Sequence, residues 1–411
     1  MGRGLTLREE GKSRVSISKG KDIARIVRQA ITLVGGLEKL ISSRARVLIK
    51  PNLSVALPAK TGVITDPRVV LALIQLVREA GAKEIMVGES AVVGFDAGAI
   101  FDALKVRSLF EKAGAKVVNL DQDQAVEVKI PKGEVLKKLK VCRTAYESDV
   151  IISVPKMKTH FQTGVTLSLK NMKGTVPDES KRIIHRIGVP VEKREEYGLD
   201  QAIVDLNTII SADLTVIDAT ISLEGFVPGP RLVGNPVRLD TIMAGFDPVA
   251  VDAVGCRVIG LDPREVRHIR LAYERKLGQM LLDEIEVVGR SVESVLHPLK
   301  TDIPKAAQVH ENVTIIEGKG CSGCSVTNRL ALSFFSPQDV ENLGSLTLMV
   351  GDTASTDYPV KGRCFFIGNC SIRSNKGKKG RNIGGCPPPG LWIRKSLTGV
   401  AINCLGEIKG T

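Results

Sequence analysis

The stretch RVLIKPN at residues 46–52 begins the segment that decides the fold. Its Val-Leu-Ile run is typical of a buried strand, and the Lys-Pro-Asn that follows ends the strand. An amphipathic helix is predicted from Asp66-Pro67 to Ala80, because aspartate favours the N-cap position and proline the first turn. The next predicted strand is Ile85-Met86-Val87. A strand, a helix and a strand of these lengths predict two parallel strands joined by a crossover helix.

The same alternation continues along the chain. A helix is predicted over 101–113, and further strands are predicted over 116–120, 150–154, 214–217 and 285–288. Together these elements predict an α/β fold with a doubly wound, mostly parallel sheet and helices on both faces. We expect three regions: an N-terminal lead-in over 1–45 that ends in a helix, an α/β domain with a basic cleft over 46–300, and a smaller C-terminal module over 311–411.

Composition excludes several classes of protein. Of the 411 residues, 43% are hydrophobic and 25% are charged, which is ordinary for a globular protein and excludes extensive disorder. The net charge of +13 favours anionic partners. Aromatic residues make up only 4%, so we expect no nucleic acid partner that stacks its bases on the protein. No apolar run reaches the roughly 18 residues of a membrane span, and no apolar signal segment is present, so we expect a cytoplasmic protein.

The C-terminal region carries the strongest chemical signal. Six of the eight cysteines lie in the last 91 residues. Cys321, Cys324, Cys370 and Cys386 follow predicted strands or lie in glycine-rich loops, and we expect these four to converge at one edge of a small sheet. Four thiolates are the ligands that a [4Fe–4S] cluster requires. A zinc ion on the same thiolates and four unrelated buried thiols are the alternatives.

Three motifs resemble the proximal-cluster pattern of nickel–iron hydrogenase small subunits. They are CSGC at 321–324, GNC at 368–370 and GCPP at 385–388. The last motif is also similar to one in the quinone-proximal subunit of respiratory complex I. The resemblance implies a flavodoxin-like α/β module in which Cys321, Cys324, Cys370 and Cys386 bind a [4Fe–4S] cluster.

Several separated motifs between residues 45 and 290 resemble the family called domain of unknown function 362. They are KPN at 50–52, TDP at 65–67, PKMKTH at 155–160, LKN at 169–171 with Gly174, His185, IVDL at 203–206, Asp218, Glu224-Gly225 with Gly229-Pro230, and DPVAVDA at 247–253. Many members of that family are described as iron–sulfur proteins, often with an attached cluster module. The resemblance implies no particular reaction.

Polar side chains collect at the carboxyl ends of the predicted strands, where ligands bind in sheets of this kind. The predicted substrate-binding residues are Lys50, Asn52, Glu89, Lys170, Asn171, His185 and Asp218, and the predicted catalytic residues are Lys156, Lys158 and His160. Grouped lysines bind carboxylate or phosphate, crowding lowers the pKa of a lysine, and histidine titrates near neutral pH. His185 lies in a charged stretch over 177–200, and closure of that stretch would carry it into the site. Taken singly, each of these residues also fits a structural role.

These features favour an iron–sulfur protein that transfers electrons to or from an anionic substrate or cofactor in a Lys/His-lined cleft. Such a protein is an oxidoreductase, and its high positive charge suits an acidic electron-carrier protein such as a ferredoxin. One alternative is a non-redox enzyme or ligand-binding protein for an anionic metabolite, with a structural cluster or zinc. Another is a maturation factor that hands a metal or cluster to a second protein.

Overall fold

The computed structural model describes most of the chain. The described residues are 12–93, 95–160, 163–186, 198–225, 234–301, 311–318, 324, 327–328, 331–332, 335, 337–353, 359–385, 388 and 390–399. They divide into two compact units: the larger contains the described residues within 12–184, 199–224 and 234–301, and the smaller contains those within 311–399 together with residues 185, 186, 198 and 225. No helix among these residues is both long enough and apolar enough to cross a membrane.

The strands follow one another in chain order. They are β1 (Ser13–Lys19), β2 (Arg46–Pro51), β3 (Glu84–Glu89), β4 (Lys116–Asn119), β5 (Ala125–Lys129), β6 (Lys138–Cys142), β7 (Val150–Val154), β8 (Lys156–His160), β9 (Gly164–Thr166), β10 (Leu214–Glu224), β11 (Asn235–Gly245), β12 (Ile285–Gly289), β13 (Val313–Glu317), β14 (Leu346–Val350), β15 (Arg363–Ile367) and β16 (Arg381–Ile383).

The helices lie between these strands. They are α1 (Ile23–Leu33), α2 (Pro67–Glu79), α3 (Ala97–Ala103), α4 (Val106–Lys112), α5 (Arg143–Glu147), α6 (Ser168–Asn171), α7 (Asp178–Arg186), α8 (Gly198–Asn207), α9 (Pro248–Val258), α10 (Arg267–Glu274), α11 (Val292–Val295), α12 (Pro337–Leu343), α13 (Gly368–Ser374) and α14 (Gly390–Thr398).

The larger unit is built on a sheet with the strand order β12-β1-β11-β10-β7-β2-β3-β4. The strands from β10 through β7, β2 and β3 to β4 run parallel to one another, while β11 runs antiparallel to both β1 and β10. Strand β7 is buried along its whole length, in keeping with its sequence VIISV, in which only Ser153 is polar. The predicted α/β fold with a mostly parallel sheet is therefore confirmed.

Two elements differ from the sequence-based expectation. The helix predicted over 101–113 is two helices, α3 and α4, because Lys105 between them has a φ of 57° and breaks the helical path. Within the predicted lead-in, β1 is a strand of the large sheet and pairs with β11 on one side and β12 on the other. Its pairing partners lie more than 200 residues away, so no local pattern could have revealed them.

A single proline redirects the chain at the carboxyl edge of the large sheet. Pro155 separates β7 from β8, and because proline has no N–H it cannot continue the hydrogen-bond ladder of β7. Strand β8 instead pairs with β10, where Lys156 lies opposite Asp218, and with β9. The carbonyl of Pro155 accepts a hydrogen bond from the N–H of Asp218 at 2.9 Å. This turn places the side chains of β8 at the edge where ligands bind in parallel sheets.

The smaller unit is a parallel sheet in the order β13-β14-β15-β16. Its core packs apolar side chains of the strands against the helical segment that contains Cys324 and against α14. Strands β13 and β15 end just before the segments that carry the predicted cluster cysteines. The described part of this unit is thus a small parallel α/β sheet, and Cys370 follows the carboxyl end of β15.

Candidate functional site

The centre of the larger unit's site is a fully buried ion pair between β8 and β10. The Nζ atom of Lys156 lies 2.8 Å from Oδ2 of Asp218, and neither side chain is exposed to solvent. The same oxygen accepts a hydrogen bond from the N–H of Asp66 at 2.7 Å, while Oδ1 accepts two from Thr220. Because every strong acceptor position of Asp218 is used, the pair is a fixed part of the floor of the site.

A second buried pair joins β2 to β3. The Nζ atom of Lys50 lies 2.7 Å from Oε1 of Glu89 and donates a hydrogen bond to Oδ1 of Asn171 at 3.1 Å. Burial lowers the pKa of Lys50 and raises the pKa of Glu89, since removal from water disfavours the charged form of each. The chain passes close to this pair at Gly174, where an added Cβ would lie 2.5 Å from Nζ of Lys50. Only glycine fits there.

Lys158 differs from these two lysines. It lies two residues after Lys156 on β8 and is 5% exposed. Its Nζ atom donates to Oδ1 of Asn52 and to the carbonyl of Val63, both at 2.8 Å. In the described part of the chain no carboxylate pairs with it, and burial, aided by the charge of Lys156, lowers the pKa of Lys158 to about 7. Near neutral pH this amine therefore exists in both protonation states.

Two more lysines lie on the short helix α6 and the turn that follows it. Burial and the neighbouring charge of Lys173 lower the pKa of Lys170 well below its usual value. Burial and the charge of Lys181 lower the pKa of Lys173 to about 7. Helix α6 is held in place by Asp252 of α9, whose carboxylate accepts hydrogen bonds from the N–H groups of Ser168 and Leu169.

The positive charges of this cluster outnumber the carboxylates that neutralise them. Lys181 pairs with Asp121 at 3.4 Å, as Lys50 pairs with Glu89 and Lys156 with Asp218. Among the residues that the structure describes, Lys158 and Lys170 form no ion pair. We call the six residues Lys50, Lys156, Lys158, Lys170, Lys173 and Lys181 the lysine cluster. An anionic ligand would supply the missing negative charge and restore the pKa values toward normal.

The predicted histidines are placed differently. His160, at the end of β8, is 8% exposed, and its Nδ1 atom accepts a hydrogen bond from the N–H of Thr163 at 3.3 Å. This bond leaves the ring proton of neutral His160 on Nε2. His185 belongs to α7, but its side chain lies outside the described residues. Outside the predicted set, the Nδ1 atom of buried His268 lies 3.2 Å from Oδ1 of buried Asp200.

The segments that carry the predicted cluster cysteines meet in the smaller unit. Cys321 and Cys386 themselves lie outside the described residues. The Sγ atom of Cys324 would lie 2.5 Å from a Cβ added at Gly368, two residues before Cys370. The N–H of Asn369 donates to the carbonyl of Gly385, and the N–H of Gly385 donates to Oδ1 of Asn369, both at 2.9 Å. The segments that end in Cys370 and Cys386 are thus joined, with Cys324 against them.

Sequence reasoning missed part of the site. Lys173 and Lys181 were not predicted as site residues, because neither directly follows a strand. The signal that could have found them is their spacing, since both follow the LKN motif at 169–171 within a dozen residues. Among the described residues, no group of three or more histidine, cysteine, aspartate or glutamate side chains could hold a metal ion.

We predict that two neighbouring substitutions on β8 change the free energy of unfolding by very different amounts. Lys156→Met leaves the carboxylate of Asp218 buried without its ammonium partner, and it should lower the free energy of unfolding by about 3–5 kcal/mol. Lys158→Met removes a buried charge that has no carboxylate partner, and it should change the free energy of unfolding by about 1 kcal/mol or less. Urea unfolding followed by circular dichroism measures both. Equal losses for the two variants would contradict this reading of the lysine cluster.

Comparison with known proteins places this site in a family. The chain is similar to a thylakoid-associated protein of Synechocystis sp., with 28% identity over 260 residues, or 61% of this chain and 74% of that protein. Among solved structures, it is similar to the lactate racemase apoprotein of Thermoanaerobacterium thermosaccharolyticum, with 12% identity and a TM-score of 0.40 over 85% of this chain and 72% of that one. A protein from Thermotoga maritima matches with 12% identity and a TM-score of 0.36, over 80% of this chain and 70% of that one.

The family match covers the lysine cluster. The model of the family described as domain of unknown function, DUF362, matches residues 47–257, which is just over half of the chain. That range contains β2, β3, β7, β8 and β10 and every residue of the lysine cluster. The chain therefore belongs to the DUF362 family.

Proposed function

We propose that this protein is an iron–sulfur oxidoreductase that transfers electrons to or from an anionic substrate or cofactor bound at the lysine cluster. The iron–sulfur part of the proposal is supported by the contacts among the three cysteine-bearing segments in the smaller unit. The anion-binding part of the proposal is supported by the lysine cluster at the carboxyl edge of the large sheet, where buried Lys158 and half-buried Lys170 form no ion pair among the described residues.

The lysine cluster suits a carboxylate or phosphate group. Lys158 and Lys170 would supply the ammonium groups, since Lys50 and Lys156 are already paired. Asn52 would orient the ligand indirectly, because its side-chain oxygen fixes Nζ of Lys158 at 2.8 Å. His160 would act as a general acid through its Nε2–H, because Nδ1 already accepts a hydrogen bond from Thr163. Each role depends on side chains that lie at the edge where ligands bind in parallel sheets.

The cysteine-bearing segments suit a [4Fe–4S] cluster. Cys321, Cys324, Cys370 and Cys386 would be its ligands, and when bound it would supply one-electron chemistry. Gly368 has a φ of 87° and Gly385 a φ of 145°, so both adopt backbone conformations that favour glycine. The missing Cβ at Gly368 leaves the space that Sγ of Cys324 requires. Zinc bound by the same four thiolates is the competing proposal.

A second candidate function follows from the pKa of Lys158. An amine with a pKa of about 7 at the edge of a substrate site is suited to general-base catalysis near neutral pH. The protein would then be a non-redox enzyme that removes a proton from an anionic metabolite, and the metal in the smaller unit would be structural. Activity that does not change with the oxidation state of the metal favours this candidate.

Metal content decides between a [4Fe–4S] cluster and zinc in the smaller unit. Anaerobically purified protein should contain about four iron and four sulfide per chain and, after reduction with dithionite, an electron paramagnetic resonance signal. Cys370→Ala should abolish both. The matched control is Cys364→Ala, which removes a thiol from within β15 rather than from the loop after it. A colourless protein with one zinc per chain, or a Cys370→Ala variant that keeps its iron, would contradict the cluster.

Anion binding should depend on pH. An anion binds the protonated form of Lys158, so its affinity should be high below about pH 7 and fall about tenfold for each pH unit above it, for one linked proton. Sulfate is the probe, because its own charge is constant between pH 6 and pH 9, and calorimetry measures its affinity. Lys158→Met should weaken binding and flatten the pH dependence. A sulfate affinity of wild-type protein that is constant over this range would contradict the role of Lys158.

A further inference from the structure

We propose that the exposed turn between α13 and β16 is the docking surface for an acidic electron-carrier protein. This inference rests on the proposed cluster, because docking beside Cys370 serves electron exchange only if that cysteine binds a redox centre. We call residues 373–382 the basic turn. Its charge, its rigidity and its position beside Cys370 each support the proposal.

The charged residues of the basic turn are all positive. Arg373, Lys376, Lys378, Lys379 and Arg381 are all exposed. In the described part of the chain none of them forms an ion pair with a carboxylate. From residue 358 to residue 406 the sequence contains nine lysines and arginines and no aspartate or glutamate. A positive surface without internal counter-charges attracts acidic partners over long range and speeds their encounter.

The backbone of the basic turn is held by contacts with the rest of the smaller unit. Buried Asn375 donates from Nδ2 to Oγ1 of Thr353 at 2.6 Å and to the carbonyl of Ser371 at 2.9 Å. A Cβ added at Gly380 would lie 2.6 Å from the ring of Phe366, so the turn returns tightly onto β15. Because the backbone of the basic turn is already ordered, it loses little conformational entropy when a partner binds.

The basic turn also touches a predicted cluster ligand. The Nη2 atom of Arg373 lies 3.7 Å from Sγ of half-buried Cys370 and donates a hydrogen bond to it. A carrier seated on the basic turn would thus lie next to a thiolate of the redox centre. The exchange is a transfer of one electron, in which the carrier is oxidised and this protein is reduced, with no bond made or broken.

The composition of the basic turn favours a protein partner. The sequence RSNKGKKGRN at 373–382 contains no aromatic residue that would stack on a base and no apolar residue that would enter a lipid bilayer. A carboxylate-rich protein surface requires no aromatic or apolar residue on the basic turn, because its carboxylates pair directly with exposed ammonium and guanidinium groups. An acidic carrier is therefore the occupant that the chemistry fits best.

The test compares two double variants of the full chain with equal charge change. Lys378→Glu with Lys379→Glu alters the basic turn, while Lys83→Glu with Lys361→Glu alters exposed lysines that lie just before the N-terminal ends of β3 and β15. Reduction of each protein by a reduced plant-type [2Fe–2S] ferredoxin, an acidic carrier, is followed by anaerobic stopped flow at low and high ionic strength. Iron content and the electron paramagnetic resonance signal are measured for every variant.

We expect the basic-turn variant to keep its iron and signal and to be reduced at least about tenfold more slowly at low ionic strength, with little salt dependence left. The control variant should match wild type. Equal rates for both variants, with iron intact, would overturn the docking proposal alone. So would a basic-turn variant that loses binding to phosphatidylglycerol vesicles or duplex DNA while its reduction rate is unchanged. Absence of iron and signal in wild-type protein would instead overturn the proposed cluster, and this inference with it.

Discussion

The structure of the larger unit depends on how it neutralises lysines that the fold buries. The turn at Pro155 directs the side chains of β8 to the carboxyl edge of the sheet, so Lys156 and Lys158 must be accommodated away from water. Asp218 neutralises the first of them completely. The second keeps its polar contacts but has no negative charge beside it in the described residues, and its pKa falls to about 7. The proposed anion site rests on this difference, because a bound anion would pair with the ammonium group of Lys158.

Much of this arrangement could be predicted from the sequence. The βαβ pattern around 46–87 predicts the parallel sheet, and a parallel sheet gathers the residues at its strand ends. The sequence could not predict which lysines pair with carboxylates and which do not. Lys50 and Lys156 look like free ligand-binding residues in the motifs, yet each is paired with a carboxylate from a strand far away in the chain. Such pairing depends on long-range strand order, which periodicity and local propensity do not specify.

The two units differ in where their positively charged side chains lie. In the larger unit, burial lowers the pKa of Lys158 and of Lys173 to about 7. In the smaller unit the positive side chains of the basic turn are exposed, so water and salt screen them. The first arrangement suits a small anion that is enclosed by the protein. The second suits a large acidic surface that arrives from solution.

The protonation state of Lys158 tests this account most directly. Nuclear magnetic resonance of protein labelled with ¹⁵N in its lysine side chains reports the titration of each Nζ atom, and Lys158→Met identifies the resonance of that residue. We expect a titration midpoint near pH 7 for Lys158 in the ligand-free protein, shifted upward when sulfate is bound. A midpoint near 10, the ordinary value for lysine, would contradict the claim that the fold buries more positive charge than it neutralises.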